Sequence, residues 1–379
     1  ANVNGHYKNL DFRSDSTSIW NVYKTFILGQ KDKKLIVNTS LWANYVDYDI
    51  FLPFMAEDST ASPDTAASTI PQYIIRGIAK ADKVKYGKVL IDDLSTKFRV
   101  DDSLYVLDEL RMKAFGGNMV TSLVYDTRKY PLEIIEFKNE SNRLNIKQLL
   151  EQNDDFEQDY ITHKNIDGLV TGTVFGRIVM QDTNLLYDKM NLLGNFKLEN
   201  GGIYNFEPAM ELSKFTNLNE LNNIVFNTLE TSVFIYNNQI YFPKTNIVST
   251  AMDRSVYGMQ SFADDYEYHF VVYPGDVMLG KSKKLLKKQG LKDEGFEGPN
   301  KAKRSGLYLV AFERGKESKY GFDTKELQAT MKATIRVQER GLNLVFHPHV
   351  MNFSTELDRK ESKRKTADEK KDGKEVKTN

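Results

Sequence analysis

The sequence predicts a mainly β protein: a long curved antiparallel sheet, shaped as a groove or partial barrel, with a few short helices toward its C-terminal end. Three observations support this fold class. Apolar and polar residues alternate with a period of two through much of the chain, which is the pattern of half-buried strands. Glycine and asparagine clusters interrupt the alternation where hairpins are expected. Stretches with helical periodicity are few and short.

Composition excludes several classes of protein. The 379 residues include 52 basic and 52 acidic side chains, so the overall positive potential that drives nucleic-acid binding is missing. Nucleic acid is therefore not an expected partner. The chain has no cysteine, which excludes disulfides, thiolate nucleophiles and cysteine-based metal sites. No run of apolar residues is long enough for a membrane helix. The opening at Ala1 lacks both Met and signal-peptide features, so we interpret the chain as a fragment or a processed form.

Composition shifts divide the chain into four parts. Residues 57–72 are rich in Ser, Thr, Ala, Asp and Pro and are predicted to be a linker, which leaves residues 1–56 as the end of an upstream β region. Residues 73–356 form the main β region with terminal helices. In residues 357–379, 15 of 23 side chains are charged. This tail is expected to be disordered because it cannot bury enough apolar surface.

The first clear strands precede a hairpin. One predicted strand face carries Leu94, Thr96, Phe98 and Val100, and the alternation continues through Leu104, Val106, Leu110 and Met112. The segment 114–118 then breaks the pattern. Its Gly116 or Gly117 is expected to adopt positive φ in a tight hairpin, because glycine tolerates that conformation.

A longer strand is predicted from Ile166 to Met180, where every even position is glycine or aliphatic. Its expected inward and outward residues are, respectively, Val170, Val174 and Ile178, and Thr171, Thr173 and Arg177. Further predicted strands, with a turn over 199–202, are Gly194–Leu198, Ile203–Phe206, Val233–Tyr236, Asn238–Phe242, Asn246–Thr250 and Tyr266–Tyr273.

Four helices are predicted, at Leu144–Phe156, Pro208–Phe215, Asp276–Gln289 and from Asp323 to about Arg340. A short strand, Leu342–Phe346, is expected after the last one. The helix Asp276–Gln289 has one aliphatic face and a basic remainder, which suits an anionic membrane surface. It also suits an ordinary surface helix packed on the end of a sheet, which is the interpretation that we favour. The candidate membrane-contacting residues are Lys281, Lys283, Lys284, Lys287 and Lys288.

Catalytic motifs are absent from the sequence, so we expect no catalytic residue, no cofactor and no enzymatic activity. Among the histidines, only His347 and His349 have ligand-like spacing, and no further ligands lie near them in sequence. We therefore expect no metal site. His269 alternates with Glu267 and Val271 and is expected on a solvated strand face. The aspartate doublets lie beside turns, where Asp is favoured for capping backbone N–H groups.

The order of these elements resembles the C-terminal region of the AsmA-like family of bacterial envelope proteins, relatives of TamB and the bridge-like lipid-transfer proteins. The similarity covers roughly Gln72 to Pro274. It is carried by three stretches: Lys88–Val106 with the Gly116-Gly117-Asn118-Met119 hairpin and Tyr125–Arg128; Leu149-Leu150 with the glycine-spaced strand Gly168–Gly176; and Gly194–Phe206 with Val233–Phe242 and Gly258–Tyr273. Residues 275–353 are not explained by it, and the N-terminal membrane helix usual in the family does not occur here.

The resemblance implies a periplasmic protein, anchored in the bacterial inner membrane through a segment not present in this chain. It implies an apolar β-groove that holds or conducts the acyl chains of phospholipid or another lipid, in lipid transport or outer-membrane biogenesis. The candidate groove residues are Phe98, Val100, Leu110, Met112, Val170, Val174, Ile178, Phe196, Leu198, Val233, Ile235, Ile240 and Phe242.

One alternative stays open. An alternating sheet must cover its apolar face with a second layer or leave it for an apolar ligand. A self-packed β-sandwich with a structural or adhesive role, and no lipid cargo, satisfies the same pattern. The sequence predicts no particular protein partner.

Overall fold

The computed structural model describes residues 2–7, 10–30, 33–50, 72–158, 160–182, 184–216, 218–248, 252–262, 265–274 and 306–350. The chain divides into two compact units, residues 1–335 and 336–379. The first unit holds all the described strands.

The strands are long and follow one another with short connections through most of the chain. They are β1 (Val3–Tyr7), β2 (Leu10–Trp20), β3 (Leu35–Asp47), β4 (Tyr73–Tyr86), β5 (Val89–Asp101), β6 (Leu104–Ala114), β7 (Gly117–Lys129), β8 (Leu132–Asn145), β9 (Ile166–Gln181), β10 (Asn184–Leu185), β11 (Asn191–Tyr204), β12 (Asn223–Tyr236), β13 (Gln239–Val248), β14 (Met252–Ser261), β15 (Tyr266–Pro274), β16 (Leu307–Arg314) and β17 (Glu317–Phe322).

All the described strands belong to a single sheet of 17 strands. Neighbours in the sheet are neighbours in the chain, with β9 paired on one side to β8 and on the other to β10 and β11. Every pairing is antiparallel except β3 with β4, which is parallel. The predicted mainly β fold, built on one long and mostly antiparallel sheet, is confirmed. The described strands do not form the second sheet that a two-sheet sandwich requires.

Three α-helices accompany the sheet within the described ranges: α1 (Ile146–Gln152), α2 (Glu207–Thr216) and α3 (Lys325–Val350). The predicted helix Pro208–Phe215 is confirmed as α2. The predicted helix Leu144–Phe156 is too long at both ends. Leu144 belongs to β8, and α1 starts after Asn145, whose side chain accepts a hydrogen bond from the Gln148 N–H at 3.0 Å. Phe156 lies in a turn with φ of 54°, which no α-helix contains.

The last helix is longer than its sequence pattern predicts. Thr324 caps α3 through its hydroxyl, which accepts a hydrogen bond from the Leu327 N–H at 3.3 Å. The helix continues to Val350, so the predicted strand Leu342–Phe346 is wrong. Leu342 and Phe346 are buried whereas Leu344 is 80% exposed. That spacing of four is helical, since on a strand all three residues would share one face.

The predicted hairpin is confirmed between β6 and β7. Phe115 (φ 51°) and Gly116 (φ 73°) form its turn, and Gly117 opens β7 with an ordinary φ. The predicted turn over 199–202 is wrong. Strand β11 continues through it, and Asn200 (φ 52°) forms a bulge against β9 instead.

The main core lies on one side of the sheet, which we call the apolar face. It carries the buried residues Val170, Leu198 and Leu229 and extends across the later strands to Leu309. Helix α2 covers this part of the sheet with Ala209 and Leu212, both fully buried. The opposite face is covered at the same end by the start of α3, where the Lys332 ammonium lies 5.2 Å from the centre of the Tyr257 ring.

Several predicted features lie outside the described residues. These are nearly all of the 57–72 linker, the helix Asp276–Gln289 with its candidate membrane-contacting lysines Lys281, Lys283, Lys284, Lys287 and Lys288, and the 357–379 tail. In the part of the chain that is described, no helix is both long and apolar enough to cross a bilayer.

Candidate functional site

The strand register carries one row of apolar residues straight across the middle of the sheet. In an antiparallel pair, directly opposed residues point to the same face. The row runs, strand by strand from β5 to β12, through Phe98, Leu107, Leu123, Phe137, Gly176, Leu192 and Ile235. A second row, two residues along each strand, runs from β5 to β9 through Val100, Tyr105, Tyr125, Ile135 and Ile178. We call these two rows together the apolar stripe.

Bulges determine which residues reach the apolar face. Register shifts occur at Ser16, Asp93, Glu109, Arg143 and Asn200, and each of these residues has φ between 48° and 55°. An extra residue in one strand reverses the faces of everything beyond it. The bulge at Glu109 therefore places Leu104 and Val106 on the opposite face from Leu110 and Met112, although the sequence pattern predicts one shared face.

The structure places all 13 groove candidates on the apolar face. The register links them through Phe98, Leu110, Val174 and Ile235 to the same set of opposed pairs. On β13, Ile240 lies opposite Ile235 of β12, and Phe242 lies opposite Gly258 of β14.

The candidates nevertheless fall into two groups. Five are part of the packed interior: Val170, Leu198 and Ile240 are buried, and Phe196 and Phe242 contact the main core. The other eight are half-buried: Phe98, Val100, Leu110, Met112, Val174, Ile178, Val233 and Ile235. Only this second group retains surface for a ligand.

Sequence reasoning missed most of the apolar stripe. Leu107, Leu123, Phe137 and Leu192 are not among the candidates, although each lies directly opposite another apolar residue or Gly176. Leu123 and Phe137 stand in alternating runs and were within reach of the period-2 pattern. Leu107 was concealed by the bulge two residues later.

Glycines on the apolar face leave room for aromatic rings. A Cβ atom on Gly176 would lie 2.2 Å from the Phe137 ring, and one on Gly194 would lie 2.6 Å from the Phe196 ring. The rings therefore lie flat against the neighbouring backbone, as aromatic residues do when they cover a glycine in a sheet. The Phe137 ring therefore covers Gly176 where the stripe crosses β9.

Strand β9 alternates regularly, as the sequence predicts, but its two faces are not an inside and an outside. Val170 is buried, whereas Val174 and Ile178 are half-buried. On the opposite face Arg177 is also half-buried and pairs with Glu136 at 3.3 Å. Both faces of this part of the sheet therefore retain some exposure.

The opposite face carries a shallow polar depression of about 390 Å³ across β9, β11, β12 and β13. Its lining includes Lys197, Glu230, Lys244 and Asn246. The Asn246 Oδ1 atom is buried there without a hydrogen-bond partner. Lys197 pairs with Glu199 at 2.9 Å, so part of its charge is already neutralised.

His269 is not on a solvated face: the side chain is fully buried, and the sequence-based prediction is wrong. Its Nδ1 atom lies 2.8 Å from Asp323 Oδ2, and its Nε2 atom lies 2.8 Å from Glu267 Oε1. The Tyr257 ring stacks on the imidazole at 4.9 Å. Arg314 pairs with the other oxygen of Glu267. We call Glu267, His269 and Asp323, together with Arg314, whose side chain is 54% exposed, the buried ion cluster.

The cluster favours an imidazolium. Burial lowers the pKa of His269, but the hydrogen bonds to Asp323 and Glu267 outweigh it, so the pKa is raised from its ordinary value. Burial raises the pKa of Glu267, and the opposing hydrogen bond to His269 and the charge of Arg314 together lower it. A protonated ring donates from both nitrogens, which matches two carboxylate acceptors.

The buried ion cluster does not have the geometry of a metal site. The imidazole lies between the two carboxylates, so their oxygens bind its nitrogens and do not converge on a common point. Among the described residues, no group of three His, Asp or Glu side chains is arranged to hold a metal ion. The side chains of His347 and His349 lie outside that part of the structure.

Comparison with known proteins gives no independent assignment. No protein-family model matches the chain, and neither a curated protein nor a solved structure is significantly similar to it.

Proposed function

We propose that this chain binds the acyl chains of a phospholipid or similar lipid along the apolar stripe, as a non-enzymatic component of the bacterial envelope. The observation that carries the proposal is the continuity of the stripe. Seven successive positions, from Phe98 to Ile235, are apolar or glycine with no charged residue between them.

The dimensions of the stripe suit a lipid chain. Strands lie about 4.8 Å apart, so seven strands span about 29 Å. One leaflet of a bilayer holds acyl chains over about 15 Å, half of its hydrocarbon thickness. The longer row of the stripe is therefore long enough for an extended acyl chain lying across the strands.

The exposure of the stripe supports a ligand better than a purely structural role. Its side chains are half-buried, with the buried Gly176 and the 38% exposed Tyr105 as the exceptions. Covering apolar surface stabilises by about 25 cal/mol per Å². A hydrocarbon chain on the stripe gains this free energy without needing any polar partner.

The resemblance to the AsmA-like family supports the rest of the proposal. It favours phospholipid as the cargo, lipid transport or outer-membrane biogenesis as the process, and the periplasm, with an inner-membrane anchor outside this chain, as the location. The absence of catalytic motifs from the sequence is consistent with binding alone.

The test compares two neighbouring residues of β7. Leu123 lies in the stripe, and Val124 is equally half-buried on the opposite face, opposed to Val106 and Glu136. In Leu123→Asp a carboxylate faces the hydrocarbon, so loading of a fluorescent phospholipid should fall by at least about tenfold. In Val124→Asp loading should stay near the wild-type value. Thermal melts identify any variant that has simply unfolded.

Two outcomes contradict the proposal. One is wild-type protein that takes up no phospholipid, by fluorescence or by native mass spectrometry of the delipidated and reloaded chain. The other is equal loss of loading in Leu123→Asp and Val124→Asp when both variants retain cooperative melts.

A further inference from the structure

The end of the β2–β3 hairpin exposes a dense group of large apolar side chains. We call Trp20, Val22, Tyr23, Phe26, Ile27 and Leu28 the apolar tip. Their exposed fractions are 49%, 46%, 62%, 56%, 70% and 51%. Water-soluble surfaces rarely keep so many large apolar residues together unless they contact a partner.

The tip is held in an ordered conformation. A single helical turn, Tyr23–Ile27, is closed by the Thr25 N–H donating to the Asn21 carbonyl at 2.9 Å and the Leu28 N–H donating to the Tyr23 carbonyl at 3.0 Å. The Asn21 side-chain amide donates to the Lys34 carbonyl at 2.9 Å and ties the turn to the start of β3.

The turn is amphipathic, but its polar residue is buried and its apolar residues are exposed. Thr25 is its one buried residue, and its hydroxyl donates to the Asn21 carbonyl at 2.8 Å. The aromatic and aliphatic residues around Thr25 point away from the protein. A turn that served only to connect two strands would expose the threonine and bury Phe26 and Ile27.

The chemistry of the tip matches a lipid surface. Trp and Tyr favour the bilayer interface, while Phe, Ile and Leu enter the acyl region. The sequence from Ile19 to Lys34 contains Lys24, Lys31, Lys33 and Lys34 against one acidic residue, Asp32. Lys34 is held by Asp101 and Asp102 at 2.6 and 2.8 Å. Lys24, which is exposed within the turn itself, is complementary to anionic headgroups.

We propose that the apolar tip inserts into the surface of an anionic bilayer and docks the sheet on it. The inference goes beyond the proposed function and does not depend on it, because the tip and the apolar stripe are different surfaces. It assigns membrane contact to residues 20–28.

The experiment measures co-sedimentation with mixed phosphatidylcholine–phosphatidylglycerol vesicles. The double variant Phe26→Ser, Ile27→Ser should bind at least tenfold more weakly than the wild type. The matched control, Tyr130→Ser with Val225→Ser, also removes two exposed apolar residues, which are 81% and 59% exposed, and should bind normally. Lys24→Glu should weaken binding to these vesicles and have little effect with pure phosphatidylcholine.

Fluorescence provides a second measurement. The chain has two tryptophans, so a Trp42→Phe background leaves Trp20 as the single emitter. Vesicles should shift its emission to the blue, and the shift should vanish in the Phe26→Ser, Ile27→Ser variant.

The proposal is overturned by either of two results. The first is wild-type protein that does not bind anionic vesicles but self-associates through the tip, as a dimer that the Phe26→Ser, Ile27→Ser variant does not form. The second is vesicle binding that both double variants retain. Phospholipid loading distinguishes this proposal from the earlier one, because Phe26→Ser, Ile27→Ser should still load lipid while Leu123→Asp should still bind vesicles.

Discussion

Gly117 opens β7 at a point where no side chain fits. A Cβ atom there would lie 2.5 Å from the Asn142 carbonyl oxygen and 2.8 Å from that of Arg143, both in the backbone of β8. Gly117→Ala should therefore lower the free energy of unfolding by about 1–3 kcal/mol, since strands cannot separate locally without losing hydrogen bonds. Urea denaturation measures this change.

Gly116 provides the control for that substitution. Its φ of 73° suits asparagine, and a Cβ atom there meets nothing closer than 3.9 Å. Gly116→Asn should cost less than about 1 kcal/mol. Equal denaturation midpoints for Gly117→Ala and the wild type would show that β8 yields and that the close approach is not a constraint.

The raised pKa of His269 predicts how the stability of the fold changes with pH. Its folded pKa is raised, so its contribution is complete below its ordinary value of 6.5 and is lost as pH rises through the folded pKa. Glu267 has a lowered pKa, so its contribution is lost as pH falls below its ordinary value of 4.5. The melting temperature should therefore decline as the pH rises above 6.5, the ordinary pKa of histidine.

The groups that set this behaviour surround the imidazole from several elements: Glu267 on the same strand, Asp323 before α3, Arg314 on β16, and Tyr257 with Lys332 above it. In His269→Gln the alkaline decline should disappear. If that variant does not fold, the ¹⁵N shifts of the wild-type ring give the answer, and a neutral imidazole at pH 7 would contradict the prediction.

At the scale of elements, the bulges are the least ordinary feature of the strands. Glu109 has φ of 48°, which asparagine tolerates and a β-branched residue does not. Glu109→Val should lower stability by about 1–2 kcal/mol relative to Glu109→Asn. Both changes remove the same contact with Arg111, so the difference isolates the backbone. Identical melting temperatures would mean that the bulge moves to another residue.

Strands were predictable from sequence and bulges were not, for a physical reason. The alternation around Phe98 and Val174 reflects burial on one face, which each residue carries locally. A bulge at Glu109 or Arg143 depends on how two strands fit together, and neither glutamate nor arginine is a residue type that favours positive φ. The even spacing of Leu104, Val106, Leu110 and Met112 therefore predicts one face where the structure has two.

Helix ends and His269 were missed because distant residues determine them. The alternation at Leu342, Leu344 and Phe346 fits a strand locally, yet the segment continues a helix that starts 17 residues before Leu342. His269 lies between Glu267 and Val271 in a pattern typical of a wet face. Its cover and its partner Asp323 come from a segment more than 50 residues further along the chain.

At the scale of the molecule, protection by packing is uneven along the sheet. The residues of β15 and β16 are buried on both faces over Tyr266–Tyr273 and from Leu307 to Ala311, with Tyr308 half-buried. In β2 and β3 buried residues are rare. Amide hydrogens of β15 and β16 should therefore exchange most slowly and those of β2 soonest, as measured by hydrogen–deuterium exchange with mass spectrometry. Uniform protection would indicate that the sheet opens only as a whole.

The parallel pairing of β3 with β4 has a consequence for how the chain is made. From β4 to β8 each new strand emerging from the ribosome meets a partner synthesised just before it, so this part of the sheet can grow hairpin by hairpin. Strand β3 cannot be completed in this way, since its partner arrives only after the whole 48–72 connection has been translated. During that interval the nascent chain presents an unpaired strand edge, to which another chain could pair.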